Sequence, residues 1–324
     1  MSNQFSLWGG ETGADLHQQI EQQGYALLEH GVSNHAIDEM VVAYANFTDN
    51  FPDPEPATMD AMISNMRNLD KLHRQTDTQK QWHKYRTNVP NFAKPNGYTN
   101  RSLQAAVLNK SRGLDITEDP KEYFHYSPGM RERLADVHNR YGWGPIPPEV
   151  EKLLGRMHMV HYMAKQVMIN LYSSISDLNP GLIRCITPED LDISPLRALF
   201  YHKGQGEVLA GGHYDRGVGT LQVAESHLGL RTRDPATGEM TLLERDPEHG
   251  VVFPSIKWNH ASPESSLKPL WHDVINVEEA CKDRYLHGNN IARWAIIFFT
   301  NSAHIGEHQI KAETHTVHLN QQTA

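Results

Sequence analysis

Cysteine is scarce: Cys185 and Cys281 are the only two in 324 residues, too few for a disulfide framework, and a reducing, cytoplasmic setting fits. Long apolar runs are missing too. Nothing approaches the ~18 consecutive apolar residues of a membrane span, and the opening MSNQFSLWGGETGADLHQQI lacks the basic start and apolar centre of a signal peptide, so neither membrane nor secretion is expected. Positive charge is outnumbered, with 30 Lys and Arg against 39 Asp and Glu, a net charge of −9, and this argues against a nucleic-acid partner. There is no P-loop, no dinucleotide-binding glycine fingerprint, no G-x-S-x-G elbow and no zinc-type cysteine pair. Internal repeats and Gly/Ser linkers are also absent. What remains is an ordinary globular composition, 39% hydrophobic and 21% charged, in a chain long enough to bury a substantial core.

Histidine, by contrast, is abundant, with 20 residues. Along the chain, ADLHQQIEQQG followed by YALLEH reads as a short helix and a strand over 14–29. A second helix starts at Ser33 as N-cap, with Ile37, Met40, Val41 and Tyr44 at 3–4 spacing. Residues 52–110 are polar and irregular and read as helical pieces and loops. The strongest helix is 147–176, opened by proline and carrying one broad apolar face from Val150 to Met168. Its His158 and His161 are spaced to share a metal, but without a nearby carboxylate they read as histidines of a packed helix. From about 195 the texture changes to short β-rich segments at intervals of about ten residues, the pattern of a sandwich or barrel. A helical N-terminal half supporting a C-terminal β-domain is therefore expected.

Within the β half, AGGHYDRGVGTLQV (210–223) places His213 and Asp215 two positions apart, ahead of an apolar strand. With so many histidines, a His-x-Asp triplet arises about once by chance, so the motif is weak alone. On a strand, however, residues i and i+2 share a face and can converge on one ion. Two histidines and one carboxylate on one side of an octahedron leave positions open for O2 and a co-substrate, the facial triad of non-haem Fe(II) oxygenases. The third ligand must come from another strand. His272, in LWHDVINV, leads into a β-like run and is preferred to His287, which sits in the turn-like RYLHGNN and stays open as an alternative. Arg293 opens the apolar RWAIIFFTN, where a charge is costly unless paired. Its planar guanidinium suits either a protein carboxylate or, beside the His-x-Asp…His set, the carboxylate of an acidic co-substrate.

The ordered set GGHYDRGVGTLQV…LGLRTRD…VVFPSIKW…LWHDVINV…RWAIIFFTN resembles the C-terminal domain of the isopenicillin N synthase-like branch of the 2-oxoglutarate/Fe(II)-dependent dioxygenases. In the N-terminal half, GYALLEHGVSNHAIDEM and DPKEYFHYSPG are similar to segments of that branch, so the resemblance spans nearly the whole chain. It implies an α+β fold with a double-stranded β-helix (jelly-roll) core and supporting N-terminal helices. The N-terminal helical/mixed region would cover 1–146 and the long support helix with the jelly roll 147–324, together one structural unit. It also implies Fe(II) held by His213, Asp215 and His272, Arg293 holding the distal carboxylate of 2-oxoglutarate, and Tyr201, in LRALFYHKG, lining that pocket. No catalytic residue beyond the metal ligands is implied. The implied reaction is oxidation of a small organic substrate by hydroxylation, desaturation or cyclisation, with O2 and 2-oxoglutarate converted to succinate and CO2.

Three departures stand out. Ala295 replaces the serine of the family's R-x-S pair. The spacing from His272 to Arg293 is longer than usual, with EEACKDRYLHGNN as an insertion. Glu29-His30-Gly31 stands for the usual Asn-His-Gly. The first keeps open an Fe(II) oxidase that uses no 2-oxoglutarate. A zinc hydrolase and a non-enzymatic jelly-roll binding module are the remaining alternatives, and Asp215, where related halogenases carry a small residue, argues against a halide ligand. Substrate choice is expected from parts of 80–110, 255–268 and 281–290.

Overall fold

The computed structural model describes residues 12–50, 97–99, 121–141, 144–185, 187, 190, 193–202, 207–234, 236–246, 249–277, 291–302 and 305. Helix α1 (Gly13–Gln23) is started by a capping box, in which the Thr12 hydroxyl accepts from Asp15 N–H and the Asp15 carboxylate accepts from Thr12 N–H. It stops at Gly24, whose φ of 85° is left-handed. Strand β1 (Ala26–Glu29) and helix α2 (Asn34–Asn50) follow as the sequence predicts. Then come β2 (Gly97–Thr99), β3 (Lys121–Tyr126), α3 (Met130–Tyr141) and the long α4 (Pro148–Ser174).

The C-terminal half is β-rich, as expected. Its strands are β4 (Leu196–His202), β5 (Val208–His213), β6 (Gly219–Glu225), β7 (Leu230–Arg233), β8 (Met240–Leu242), β9 (His249–Pro254), β10 (His272–Ile275) and β11 (Ile291–Thr300). They form two antiparallel sheets, β1-β9-β6-β11-β4-β3-β2 and β5-β10-β7-β8. Between β4 and β7 the chain alternates from one sheet to the other, the connectivity of a double-stranded β-helix. The N-terminal half is not only helical support. Its β1 extends the larger sheet at one edge by pairing with β9, and β3 with β2 extends it at the other by pairing with β4.

Alternation along the central strands separates two apolar compartments. Leu196, Ala198 and Phe200 of β4 and Trp294, Ile296 and Phe298 of β11 join the core beneath α2 and α4, where Leu153, Met157, Val160, Ala164 and Met168 are buried. The alternate residues Leu199, Tyr201 and Ala295, with Val251 and Phe253 of β9, face the smaller sheet and join Leu209, Ala210, Leu230 and Val274 in a second cluster. The two α4 histidines are structural. His161 Nε2 bonds Ser194 O at 2.9 Å, and His158 Nδ1 bonds the Tyr126 hydroxyl at 2.8 Å. Helix α4 also pins the start of β6: the Tyr172 hydroxyl bonds Thr300 Oγ1 at 2.5 Å, which in turn accepts from Gly219 N–H at 2.9 Å. Only glycine fits at 219, since a Cβ there would lie 2.4 Å from the Tyr172 hydroxyl. The 255–268 segment, expected near the mouth, is in part packed and in part exposed at Pro263, Glu264, Ser266 and Lys268. Its α5 (Trp258–Ala261) buries Trp258 edge-on to Tyr172.

His30 ties β1 to the barrel. Its Nδ1 accepts Val32 N–H at 2.9 Å, so its Nε2–H donates to Val223 O at 2.8 Å. Val223 is the extra residue of a bulge, because Gln222 pairs with Ile297 while Ala224 pairs with Ile296. Burial first, and Arg245 and His249 nearby, push the imidazole down to about 4. The folded state therefore resists a proton that the unfolded chain accepts at about 6.5, and stability is lost as pH falls from 6.5 towards 4, by up to about 3 kcal/mol. Thermal unfolding followed across this window should show that loss in the natural protein and a flatter profile in His30→Gln. Parallel profiles would rule out His30 as its source.

Candidate metal centre and the barrel interior

His213 ends β5, Asp215 follows two residues later, and His272 opens β10 directly opposite His213 in the antiparallel register. His213 Nε2 lies 3.6 Å from Asp215 Oδ1, and His272 Nε2 lies 3.8 Å from Asp215 Oδ2. The ligand atoms of all three fall within 4.8 Å of one another, forming the one such group of three His, Cys, Asp or Glu among the described residues. The structure thus brings together the three residues singled out by the sequence. His287 lies outside the described residues.

The hydrogen bonds around the group suit a metal. His213 Nδ1 faces Gly211 O at 2.7 Å and His272 Nδ1 faces Leu270 O at 3.2 Å, so each ring donates its Nδ1–H to backbone and turns a bare Nε2 toward Asp215. Thr220 Oγ1 donates to Asp215 Oδ2 at 2.6 Å. Burial works against the Asp215 charge, but His272, His213 and the Thr220 hydroxyl outweigh it and hold the carboxyl well below the usual range. Burial keeps His272 below its ordinary value despite the Asp215 charge. Two imidazoles that turn Nε2 toward an ionised carboxylate fit a divalent ion. The His213 side chain is 43% exposed against 6% for His272, so the group opens to solvent on the β5 side. Phe253 closes the inner side, its ring centred 5.0 Å from that of His272.

Arg293 lies deep in the barrel, 1% exposed, with its guanidinium 5.4 Å from the centre of the Tyr201 ring. It is paired within the protein: Nη2 donates to Glu225 Oε2 and Nε donates to His227 O at 3.3 Å. Glu225 also accepts from Arg245 Nε at 3.0 Å. One buried carboxylate thus serves two buried guanidinium groups, which leaves a positive charge in excess and Arg293 Nη1 with no bonded partner among the described residues. An uncompensated buried charge is destabilising by several kcal/mol, so this end of the barrel favours a second anion.

Strand β6 links the two ends. Along its inner face Thr220 holds Asp215, Gln222 follows, and beyond the bulge Glu225 holds Arg293. Gln222 is buried, and its Nε2 has no hydrogen-bond partner among the described residues. The span is also short. Ile275 N bonds Gly229 O, and a Cβ on Gly229 would meet Arg293 Nε at 2.9 Å. The Arg293 end is therefore three residues along β10 from His272, on the order of 10 Å. Sequence reasoning missed Thr220, Gln222, Glu225 and Arg245. The polar alternation of Thr220 and Gln222 inside an apolar strand was a readable signal. Glu225 was not, because the bulge breaks the alternation before it.

No protein-family model matches the chain, and no curated protein matches it in sequence. Solved structures do. A candidate oxygenase from Shewanella oneidensis is 14% identical over 93% of each chain, with a TM-score of 0.57. A full-length Neurospora crassa protein, in complex with α-KG (2-oxoglutarate) and 5-formyluracil, is 17% identical over 91% of this chain and 79% of that one, with a TM-score of 0.55. The rice dioxygenase for auxin oxidation is 17% identical over 89% of this chain and 77% of that one, with a TM-score of 0.50. At such identities the likeness is one of fold: this chain shares the double-stranded β-helix fold of these structures.

Proposed function

We propose that the protein is a non-haem Fe(II)- and 2-oxoglutarate-dependent oxygenase acting on a small organic molecule. His213, Asp215 and His272 hold the iron, and Arg293, backed by the Tyr201 ring, receives the distal carboxylate of 2-oxoglutarate. The observation that carries this reading is the pairing, about 10 Å apart on one inner face, of a metal-type donor set with a guanidinium pair short of one carboxylate. A five-carbon dicarboxylic acid bridges such a span. Gln222, whose amide Nε2 midway along β6 lacks a partner among the described residues, supplies the donor that Ala295 cannot. Iron, when bound, supplies O2 chemistry driven by decarboxylation of the keto acid. The chain's own residues hold the open side of the ion, keep water out with Phe253 and Leu199, and fix the co-substrate's far end. The scarcity of cysteine supports a cytoplasmic setting.

A second reading, an Fe(II) oxidase that dispenses with 2-oxoglutarate, draws on Glu225 already occupying Arg293 and on Ala295. Metal analysis and product assay separate them. Protein reconstituted with Fe(II) under air is expected to release succinate from 2-oxoglutarate, and to release none under nitrogen or with Zn(II). Iron binding without 2-oxoglutarate binding would favour the oxidase, and a preference for zinc with hydrolytic turnover would overturn both.

A further inference from the structure

Besides Arg293 and Arg245, a further arginine faces the barrel interior and is not used above. Arg197 of β4 is on the same side of its strand as Leu199 and Tyr201, opposite Ile297 of β11. Its guanidinium sits between two rings, 4.9 Å from the centre of Tyr123 and 4.7 Å from that of Phe299. Nε donates to His125 Nε2, so that nitrogen is an acceptor and His125 brings no positive charge through it. No carboxylate among the described residues pairs with Arg197, and the side chain is half-buried rather than spread on the surface.

Its position relates it to the metal centre. Phe299, which covers one side of the guanidinium, is the direct register partner of Thr220, whose hydroxyl holds Asp215. Strands β4, β11 and β6 are adjacent, so Arg197 stands two strands from Thr220, about 10 Å across the sheet. It is distinct from the Arg293 end, since Arg197 and Arg293 are four residues apart in register along β4. The surface between Arg197 and the metal is apolar, made by Phe299, Ile297 and Leu199.

We infer that Arg197 is the substrate-recognition residue of this site, and that the substrate is an organic acid. Its carboxylate takes the free edge of the Arg197 guanidinium, and its apolar body lies along Phe299 and Ile297 with the far end at the metal. The stacked rings fix the plane of the guanidinium, so its fork is pre-oriented for two parallel hydrogen bonds. The inference rests on the barrel interior being the active site.

The test uses full-length protein loaded with Zn(II), which prevents turnover, and saturated with 2-oxoglutarate, which fills the Arg293 end. Monocarboxylic acids graded from acetate through hexanoate to phenylacetate are titrated by calorimetry, each against its primary amide. At least one acid is expected to bind about tenfold or more tightly than its amide. Arg197→Gln should abolish that preference, and Arg197→Lys should keep part of it. Zn(II) binding in each variant reports that the fold is intact. The absence of any acid-over-amide preference, or a preference that survives Arg197→Gln, overturns the inference. Titration of 2-oxoglutarate in the same protein separates the two claims. Its normal binding with no Arg197-dependent preference sinks the substrate assignment alone, whereas an Arg197-dependent preference without 2-oxoglutarate binding sinks the co-substrate assignment alone.

Discussion

Replacing Asp215 by Ala is expected to weaken divalent-metal binding by more than about 100-fold, beyond the 10- to 100-fold typical of losing an outer partner of a metal ligand. The reason is charge. Asp215 is the only carboxylate in the group, and its removal leaves two imidazoles facing each other across 4.5 Å with nothing to offset a cation. His213→Ala and His272→Ala should act similarly, His272 more severely because it is the more buried of the two and sits against Phe253. Thr220→Val, which only removes the hydroxyl bonded to Asp215 Oδ2, should fall in the 10- to 100-fold range. Calorimetric titration with Fe(II) or Mn(II) checks the order, with near-native circular dichroism as the control for folding. Metal affinity unchanged in Asp215→Ala would remove the centre from consideration.

The second large effect belongs to Arg293. Truncating one side of a desolvated charge pair costs about 2–5 kcal/mol, so Arg293→Leu should weaken 2-oxoglutarate binding by about 30-fold or more, with iron affinity little changed. Glu225 would still be paired with Arg245, which limits the damage to the fold. The reverse change is more diagnostic. Glu225→Gln leaves Arg293 and Arg245 buried without a carboxylate, so the variant should melt well below the natural protein. Added 2-oxoglutarate should then raise its melting temperature by more than it raises that of the natural protein, because the ligand's carboxylate replaces the missing one. Equal shifts would mean that the dicarboxylate does not reach this pair.

Much of this was legible in the sequence because strand periodicity is strict. His213 and Asp215 share a face at i and i+2, and His272 opens a strand that must pair somewhere. The apolar stripe of α4 likewise fixes which faces of β4 and β11 are outward. The outcomes that needed coordinates involve register and long-range pairing. The bulge at Val223 decides that Glu225 turns inward to meet Arg293, and no local pattern announces it. The opposition of His272 to His213 depends on β10 pairing with β5 across a separation of 59 positions in the sequence. That KEYFHY would close a sheet edge, with Tyr123 and His125 facing the interior, was hidden because a strand buried on both faces shows no polar alternation. Arg293, which the sequence assigns to the carboxylate of an acidic co-substrate, is also paired within the protein. It touches Glu225, and the cluster is still one carboxylate short.

The most direct test of the account is an anaerobic titration of the Fe(II)-loaded protein with 2-oxoglutarate, followed in the visible region. A weak charge-transfer band that saturates at one equivalent of 2-oxoglutarate per iron, and that is lost in Arg293→Leu at the same concentrations, is the predicted result. Iron that remains bound while no band develops would contradict the co-substrate role assigned to the Arg293 end of the barrel.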